Sequence, residues 1–250
     1  MGGYSITSIP NKLPYLDLAI QSSRHPVAQW ATQQAVAGDE VNVRVGGSFT
    51  YTADGHDDEK INTTSDEPAM KMRTRNRLLF IAGGVGINPL FSMIQQWNVD
   101  RGLHRDDRAV LLYSGRCRED LLFVRELNDM MDEFFRVVFT TTTDVKSSVL
   151  ENDSLDTTNE KIMNNIRLKR GRVDRDMIKD AVRWLNTTVE VTDDQQEDEG
   201  DDDMIADLVY ICGPPGMPED MRRLLLPLGD DDDKQEFVRS IEDVLFEKWW

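Results

Sequence analysis

A continuous apolar run that ends in glycines constrains the fold of this chain more than any other feature. Residues 78–82 are entirely apolar, and three of the four residues at 83–86 are glycines. A strand without polar residues is typical of a parallel sheet that is covered on both faces. Apolar residues then recur at helical spacing over 90–97, which predicts an amphipathic helix with Asn88 as its cap and Pro89 as its first helical residue.

The same alternation of strand and helix continues along the chain. Apolar runs at 109–113, 137–140 and 208–212 predict further strands, and apolar positions at helical spacing over 121–131 and 177–185 predict helices. Repeated strand–helix units favour a parallel sheet with helices on both faces. We therefore predict an α/β domain of this architecture.

The first sixty residues follow a different pattern, which is typical of antiparallel β structure. Short runs at 4–8, 15–20, 41–45 and 49–51 predict strands, and a helical turn is expected after Pro26. The period-two alternation of apolar and polar residues is clearest over 41–45.

These patterns divide the chain into three parts. We predict a β-rich domain over 1–53, a polar linker over 54–76, and the α/β domain over 77–250 with an acidic insertion at 193–203. The first predicted strand begins within four residues of Met1, which indicates that the β-rich domain is incomplete in this sequence.

The charge balance limits the partners of the protein. A net charge of −17 argues against nucleic acids and anionic membranes, which would repel it. The acidic runs at 193–203 and 230–233 cannot bury apolar surface, so we interpret both as solvated loops rather than cation sites. The cysteines, Cys117 and Cys212, are too few for a disulfide scaffold or a cysteine-based metal site, and no apolar run is long enough to span a membrane. We expect a monomer without a metal.

The loop at 83–89 has the context that a dinucleotide-binding loop needs, between a buried strand and an amphipathic helix. Glycines, Gly86 among them, let a pyrophosphate approach the backbone, and the helix N-terminus favours an anion. A proline replaces the third glycine of the usual fingerprint, and Ser114 and Arg116 stand where an acidic residue is usual after the second strand. A purely structural turn is the alternative interpretation.

Two further features lie near the C-terminus. Cys212, Gly213 and Pro214 stand at the end of an apolar strand, at the sheet edge where open α/β folds bind ligands. The alternative is a small buried residue before a rigid turn. The chain ends in Trp249 and Trp250, which are costly to leave in water unless they stack on a flat partner or fill an interface.

Together these motifs resemble the ferredoxin–NADP reductase superfamily. The resemblance is carried by Gly-Gly-Val-Gly-Ile-Asn-Pro at 83–89, Cys-Gly-Pro-Pro-Gly-Met at 212–217, the Tyr-Ser pair at 4–5, the segment 43–49 and the aromatic terminus. Within the superfamily, the chain is most similar to the oxidoreductase NAD-binding domain-containing protein 1 group, and the similarity covers nearly all of it except the acidic insertion.

The resemblance implies an FAD-binding antiparallel β-barrel of ferredoxin-reductase type over 1–53, followed by an NAD(P)-binding domain. It implies that Cys212 lies against the nicotinamide, that Trp249 or Trp250 covers the flavin, and that Tyr4 and Ser5 contact the flavin. The residues that would contact the dinucleotide are Gly83, Gly84, Val85, Gly86, Ile87, Asn88, Pro89, Ser114, Arg116, Gly213 and Pro214.

Two departures from the superfamily pattern concern the flavin. The superfamily places an arginine, which pairs with the flavin pyrophosphate, two residues before the tyrosine, whereas this chain has Gly2 there. The barrel strands that should precede this motif are absent, because the chain starts at it. Either the sequence is an incomplete form of its gene product, which we favour, or this form of the protein holds flavin poorly.

The predicted function is that of a flavin-dependent oxidoreductase that transfers hydride between NAD(P)H and FAD, with an electron acceptor that the sequence does not indicate. The alternative is a non-catalytic nucleotide-binding or interaction protein on the same scaffold. We expect NADH to be preferred over NADPH, because residues 140–144 carry no cation for an extra phosphate, although Arg116 could hold one. The resemblance implies a mitochondrial location, while the chain itself shows no targeting segment.

Overall fold

A parallel sheet forms the centre of the part of the chain that the structure describes. The computed structural model describes residues 3–51, 76–101, 107–143, 168–187, 204–226 and 235–248. The strands within these ranges are β1 (Arg77–Gly83), β2 (Arg108–Gly115), β3 (Phe135–Thr141), β4 (Lys169–Arg170), β5 (Leu208–Gly213) and β6 (Val244–Lys248). They lie in the order β4-β3-β2-β1-β5-β6, and every neighbouring pair is parallel.

Helices cover both faces of this sheet. The described helices are α1 (Pro26–Gln33), α2 (Ile87–Asp100), α3 (Val124–Asp129), α4 (Arg175–Leu185) and α5 (Met217–Leu225). Successive side chains of a strand point to opposite faces, so Phe80 of β1 packs in the core beneath α2 and α3, whereas Ile81 packs beneath α4 and α5. The predicted α/β sheet with helices on both faces is confirmed.

The strand order places a crevice beside β1. The chain moves outward from β1 through β2 and β3 to β4, and then returns to place β5 on the other side of β1. The loops that follow β1 and β5 lead to helices on opposite faces of the sheet, α2 and α5. Open α/β sheets bind ligands at the carboxyl ends of their strands where the order reverses in this way.

At the amino ends of the strands, a buried carboxylate links β1 to the start of β5. Asp207 is 8% exposed and accepts hydrogen bonds from the backbone N–H groups of Asn76 and Arg77. It also forms an ion pair with the Arg77 guanidinium, with Nε to Oδ2 at 3.1 Å, and Arg239 approaches its other oxygen at 3.6 Å. These charges tie β1 to the residue before β5, far from the carboxyl edge.

Helix α2 begins earlier than the sequence indicated, and Asn88 does not cap it. A 3₁₀ turn at Gly84–Gly86 leads directly into the helix at Ile87, and Gly86 already has helical dihedral angles (φ −61°, ψ −11°). Because a side-chain cap requires an extended residue before the helix, Asn88 and Pro89 become its second and third residues instead. The Asn88 amide is thereby available for a tertiary hydrogen bond.

Residues 3–51 do not form the strands predicted at 4–8, 15–20, 41–45 and 49–51. Within this range the structure contains one antiparallel bridge, between Ile6 and Leu18, together with a 3₁₀ turn at Pro10–Lys12 and α1. The alternating valines of the third predicted strand are 60–70% exposed. Those strand predictions are wrong because a strand needs a neighbour to pair its backbone, and period-two alternation alone does not supply one.

Several predicted features lie outside the described residues. These are the linker at 54–76 (Asn76 excepted), the acidic runs at 193–203 and 230–233, and Trp249 and Trp250. Among the residues that are described, none of the helices is both long and apolar enough to cross a membrane.

Candidate functional site

The loops that follow β1 and β5 touch each other at the crevice. Ala82 pairs with Cys212 in the sheet, and Gly86 lies directly against the backbone of Cys212 and Gly213. A Cβ atom on Gly86 would come within 2.2 Å of the Cys212 carbonyl oxygen and 2.7 Å of the Gly213 nitrogen. The space beside the Gly86 Cα atom is therefore occupied by the protein itself. Packing of the two loops by itself accounts for a glycine at this position, while contact of Gly86 with a dinucleotide stays a prediction.

Gly84 has the opposite surroundings. Its φ of +52° lies in the left-handed region that favours glycine, and a Cβ atom there would meet no atom of the described part of the chain within 4 Å. Gly84 and Val85 are half-buried, whereas the other residues of the loop are buried, namely Gly83, Gly86, Ile87, Asn88 and Pro89. A ligand that approaches this loop therefore meets Gly84 and Val85 first.

Met217 fills the gap between the two loops. A Cβ atom on either Gly83 or Gly213 would lie 2.4 Å from the Met217 sulfur. Met217 begins α5 after Gly216, whose φ of +87° again requires a left-handed conformation, and the segment before it is exposed at Pro214. The Met217 thioether therefore fills the space that a side chain at either glycine would need.

Cys212 lies at the predicted place in the sheet, but its side chain is fully buried. It is 0% exposed and belongs to the apolar core on the α2 side, together with Ala82 and Tyr210. A small buried residue before a rigid turn, the alternative interpretation, describes this geometry. Contact of Cys212 with a nicotinamide ring stays a prediction, and contact through its thiol requires side-chain movement.

Glu247 is a titratable group at the crevice edge that the sequence interpretation did not include. Strand β6 pairs with β5 so that Glu247 lies opposite Cys212 and Lys248 opposite Gly213. Burial raises the pKa of the half-buried Glu247 carboxyl above its usual range. The apolar run 244–246 was the available signal for this strand. Because β6 is parallel to β5, it carries the chain to the carboxyl edge immediately before Trp249.

The ends of β2 and β3, where Ser114 and Arg116 lie, are joined by backbone hydrogen bonds. Ser114 pairs with Thr140, and the Thr143 backbone N–H donates to the Arg116 carbonyl oxygen at 2.8 Å. The Arg116 side chain extends into solvent and forms an ion pair with Asp120, with Nε to Oδ2 at 3.0 Å. Ser114 and Arg116 are thereby placed at the same sheet edge as the glycine loop.

Strand β4 brings cations to this region that the sequence interpretation missed. Lys169 pairs with Thr140, and Arg170 with Thr141, so both cations lie beside the end of β3. The Lys169 amino group lies 3.8 Å from an Asp180 carboxylate oxygen. The sequence indicated Arg116 as a possible partner of an extra phosphate but not Lys169 or Arg170, because a two-residue polar strand has no sequence signal of its own.

Tyr113 supports the loop that carries Arg116. It is fully buried, and its hydroxyl oxygen accepts a hydrogen bond from the Leu122 backbone N–H at 3.0 Å. Burial raises the pKa of Tyr113 to about 12, so its hydroxyl stays protonated and neutral. Its role is to hold the loop in place.

Tyr4 and Ser5 are brought to the same side of the molecule as the glycine loop. The antiparallel bridge between Ile6 and Leu18 places Ser5 opposite Ala19. The Ala19 carbonyl oxygen in turn accepts a hydrogen bond from the Asn88 Nδ2 atom at 2.8 Å. Both residues of the predicted flavin-contacting pair are half-buried.

Within the described ranges, no group of three or more His, Cys, Asp or Glu side chains is arranged to hold a metal ion. The chemistry that the crevice offers consists of backbone groups of glycine loops, a helix N-terminus, a buried cysteine and a half-buried carboxyl group. Such a set suits the binding and orientation of an organic cofactor.

The fold and this crevice define an α/β nucleotide-binding domain of the reductase type. Residues 80–223 match the family model of the oxidoreductase NAD-binding domain, which is more than half of the chain. The chain therefore belongs to this family, and the predicted resemblance to ferredoxin–NADP reductases is confirmed.

The similarity to known proteins covers the whole chain. The oxidoreductase NAD-binding domain-containing protein 1 of Xenopus laevis is 30% identical over 263 residues, and that of Homo sapiens is 28% identical over 265 residues. Both matches cover 100% of this chain, which spans only 65% and 66% of those relatives. An Amycolatopsis cytochrome P450 reductase superposes on 98% of this chain and 55% of its own, with a TM-score of 0.60 and 17% identity. That likeness shows the fold, and it extends to residues N-terminal to the sheet.

Proposed function

We propose that this chain is a flavin-dependent oxidoreductase that transfers hydride between NAD(P)H and FAD. The family membership supports a pyridine-nucleotide oxidoreductase, while the flavin and the catalytic turnover are part of the proposal. The observation that carries it is the contact between Gly86 and the Cys212–Gly213 backbone, which joins the loops after β1 and β5 at the reversal point of the sheet, where open α/β folds bind ligands.

The nicotinamide nucleotide is proposed to bind along the carboxyl edge of β1, β2 and β5. Its pyrophosphate would approach the open side of Gly84 and the N-terminus of α2, where the helix dipole favours an anion. Cys212 and Gly213 would orient the nicotinamide ring, and Ser114 would lie toward the adenosine end. Among the described residues, no side chain occupies the space beside the Gly84 Cα atom, which supports this fit.

The flavin half of the proposal rests on Tyr4, Ser5 and the terminal tryptophans. The N-terminal segment brings Tyr4 and Ser5 to the side of the glycine loop, and β6 directs the chain toward the same edge before Trp249. When bound, the nicotinamide supplies the hydride and the flavin accepts it. The residues of the chain would bind and orient the two rings, and Trp249 or Trp250 would cover the flavin.

A second candidate is a nucleotide-binding or interaction protein without turnover. The absence of strands within residues 3–51 and the exposure of Val41, Val43 and Val45 favour it, because a barrel that holds flavin needs paired strands. Gly2 in place of the arginine that pairs with the flavin pyrophosphate points the same way.

For the coenzyme we propose NADH in preference to NADPH. The cations near the end of β3 are already engaged, Arg116 with Asp120 and Lys169 with Asp180. Exposed ion pairs of this kind contribute at most about 1 kcal/mol, so the 2′-phosphate of NADPH would have to displace Asp120 or Asp180 to bind these cations. NADH has no such phosphate, so a comparison of the two coenzymes tests this region directly.

Four further attributes are proposed on composition or resemblance. The chain would divide into an FAD-type segment over 1–53, a linker over 54–76 and the nucleotide domain over 77–250. It would be a monomer, reside in the mitochondrion, and deliver electrons to an acceptor whose identity is open. Subcellular fractionation of the native protein and light scattering of the purified chain would test location and oligomeric state.

The experiment that tests the function combines a spectrum with a binding titration. Purified protein should show flavin absorption, or acquire it on addition of FAD, and NADH added without oxygen should bleach that absorption. NADH binding without any flavin would favour the second candidate. Absence of both NADH and NADPH binding to a folded protein would contradict the proposal altogether.

A further inference from the structure

Helix α2 carries a polar stripe that holds the N-terminal segment. Asn88, Ser92 and Gln95 lie at i, i+4 and i+7, on one face of an otherwise largely apolar helix. Each donates a side-chain hydrogen bond of 2.8 Å to a backbone carbonyl oxygen, at Ala19, Ser8 and Thr7 respectively. Because the acceptors are all main-chain atoms, these three bonds use no side chain of the segment.

Asn88 differs from the other two residues in burial and in the state of its amide. It is 4% exposed, whereas Ser92 and Gln95 are half-buried. Its Oδ1 atom has no hydrogen-bond partner among the described residues, and a buried acceptor without a partner costs about 1–3 kcal/mol. A residue that adds this cost at a core position of a helix is a poor choice for packing alone.

Asn88 also lies between the glycine loop and the N-terminal segment, the two halves of the proposed site. It is the second residue of α2, directly after the turn at Gly84–Gly86 where the nucleotide would bind. Its amide reaches Ala19, and Ser5 lies opposite Ala19 across the antiparallel bridge. Ser92 and Gln95 make their bonds one and two turns further from the loop.

We propose that Asn88 is a positioning residue that couples nucleotide binding at the glycine loop to docking of the N-terminal segment at Ser5 and Ala19. The inference rests on the proposed function, since the nucleotide is the ligand whose binding is coupled. A nucleotide that orders the first turn of α2 restrains the Asn88 side chain, and the hydrogen bond passes this restraint to the segment. By linkage, a docked segment strengthens nucleotide binding by the same factor. The pair of cofactor regions is thereby held at a constant separation.

The test measures hydrogen exchange of residues 3–20 in the full chain, with and without saturating NADH, together with NADH affinity. Asn88→Leu is close in size and removes the donor and the unpaired acceptor, so the fold should be retained. Gln95→Ala removes an equivalent bond two turns away and serves as the matched control. NADPH is used in parallel with NADH.

In the wild-type protein, nucleotide should slow exchange of residues 3–20. Asn88→Leu should lose most of this slowing and bind nucleotide about three- to tenfold more weakly, as expected for one hydrogen bond. Gln95→Ala should exchange faster with and without nucleotide while keeping the nucleotide-induced slowing and the affinity.

Three outcomes would overturn the inference. If Asn88→Leu keeps the slowing, or if Gln95→Ala loses it equally, Asn88 is an ordinary docking contact. If wild-type protein binds nucleotide without any change in residues 3–20, the two regions are not coupled, although the proposed function stands. If neither nucleotide binds to the wild-type protein, the proposed function fails and this inference fails with it.

Discussion

Replacement of Gly86 by alanine tests whether the crevice is built by contact between two loops. The added Cβ atom would lie 2.2 Å from the Cys212 carbonyl oxygen and 2.4 Å from its carbonyl carbon. Real Cβ atoms essentially never approach other heavy atoms within 3.0 Å, so the backbone at the end of β5 must move by about 0.8 Å. No long side chain can absorb this displacement, because all the nearest atoms belong to the main chain.

The size of the effect follows from two opposing terms. Overpacking of a tight contact costs about 1–3 kcal/mol, and the upper end applies here because the backbone itself must shift. Gly86 has helical dihedral angles that alanine adopts freely, so the loss of chain entropy in the unfolded state returns about 0.5–1 kcal/mol. The net decrease in the free energy of unfolding should be about 2 kcal/mol, which corresponds to a fall in Tm of about 4–8 °C for a chain of this size.

The assay is thermal and urea denaturation, with NADH affinity measured on the folded protein. Gly84→Ala provides the contrast, since its methyl group would stand in open space where the nucleotide is proposed to bind. Alanine in this left-handed conformation should cost about 1–2 kcal/mol. This is no more than the net cost of about 2 kcal/mol expected for Gly86→Ala after the entropy term is included. Gly38→Ala, with a φ of +100° and no nearby atom, controls for backbone strain outside the crevice.

Gly84→Ala should weaken NADH binding about tenfold or more through loss of close approach, whereas Gly38→Ala should leave the affinity unchanged. A Gly86→Ala protein with wild-type Tm would refute the packing argument. Equal NADH affinity in the Gly84→Ala and Gly38→Ala proteins would refute the placement of the phosphate site.

Three further predictions concern the carboxyl group, the coenzyme and the terminus. Burial raises the pKa of Glu247, so the group destabilises the folded state increasingly as the pH rises from below its usual range through the raised pKa. Glu247→Gln should therefore raise Tm relative to wild type at pH 7 but not at pH 4, and a difference independent of pH would contradict this. NADH should bind more tightly than NADPH; tighter NADPH binding that is lost in Arg116→Ala or Arg170→Ala would reverse the preference. A chain ending at Lys248 should bind nucleotide more tightly with little change in Tm, whereas a large fall in Tm at unchanged affinity would move Trp249 and Trp250 from the site to the core.

The local units of the nucleotide domain were predictable because their signals lie within short windows. Strand β1, the glycine turn and α2 each follow from the apolar pattern and from residues that favour or break a helix. The edge of the sheet at which a ligand would bind was predictable as well, since open α/β folds bind ligands at the carboxyl ends of their strands. Cys212 was placed at this edge because it ends an apolar strand, whereas the reversal of strand order beside β1 came from the structure.

The roles of individual residues were less predictable, because they depend on neighbours distant in the chain. Gly86 is a glycine on account of the carbonyl group of Cys212, which is 126 positions away, and Asn88 bonds to Ala19 instead of capping its own helix. Neither partner could be inferred from a local window. The strands expected within residues 3–51 failed for a related reason, since alternation reports a preference and only a paired neighbour supplies the hydrogen bonds.

The amino-acid sequence alone determined the class of fold and the succession of strand β1, glycine turn and helix α2, because both follow from local periodicity. It also determined the edge of the sheet at which a ligand would bind, because the connections between parallel strands have a fixed handedness. Only the tertiary structure decided which glycine packs against another loop, which cations stand beside the end of β3, and that Glu247 lies opposite Cys212. Strands β4 and β6 have weak patterns of their own, and they form because neighbouring strands satisfy their backbone groups.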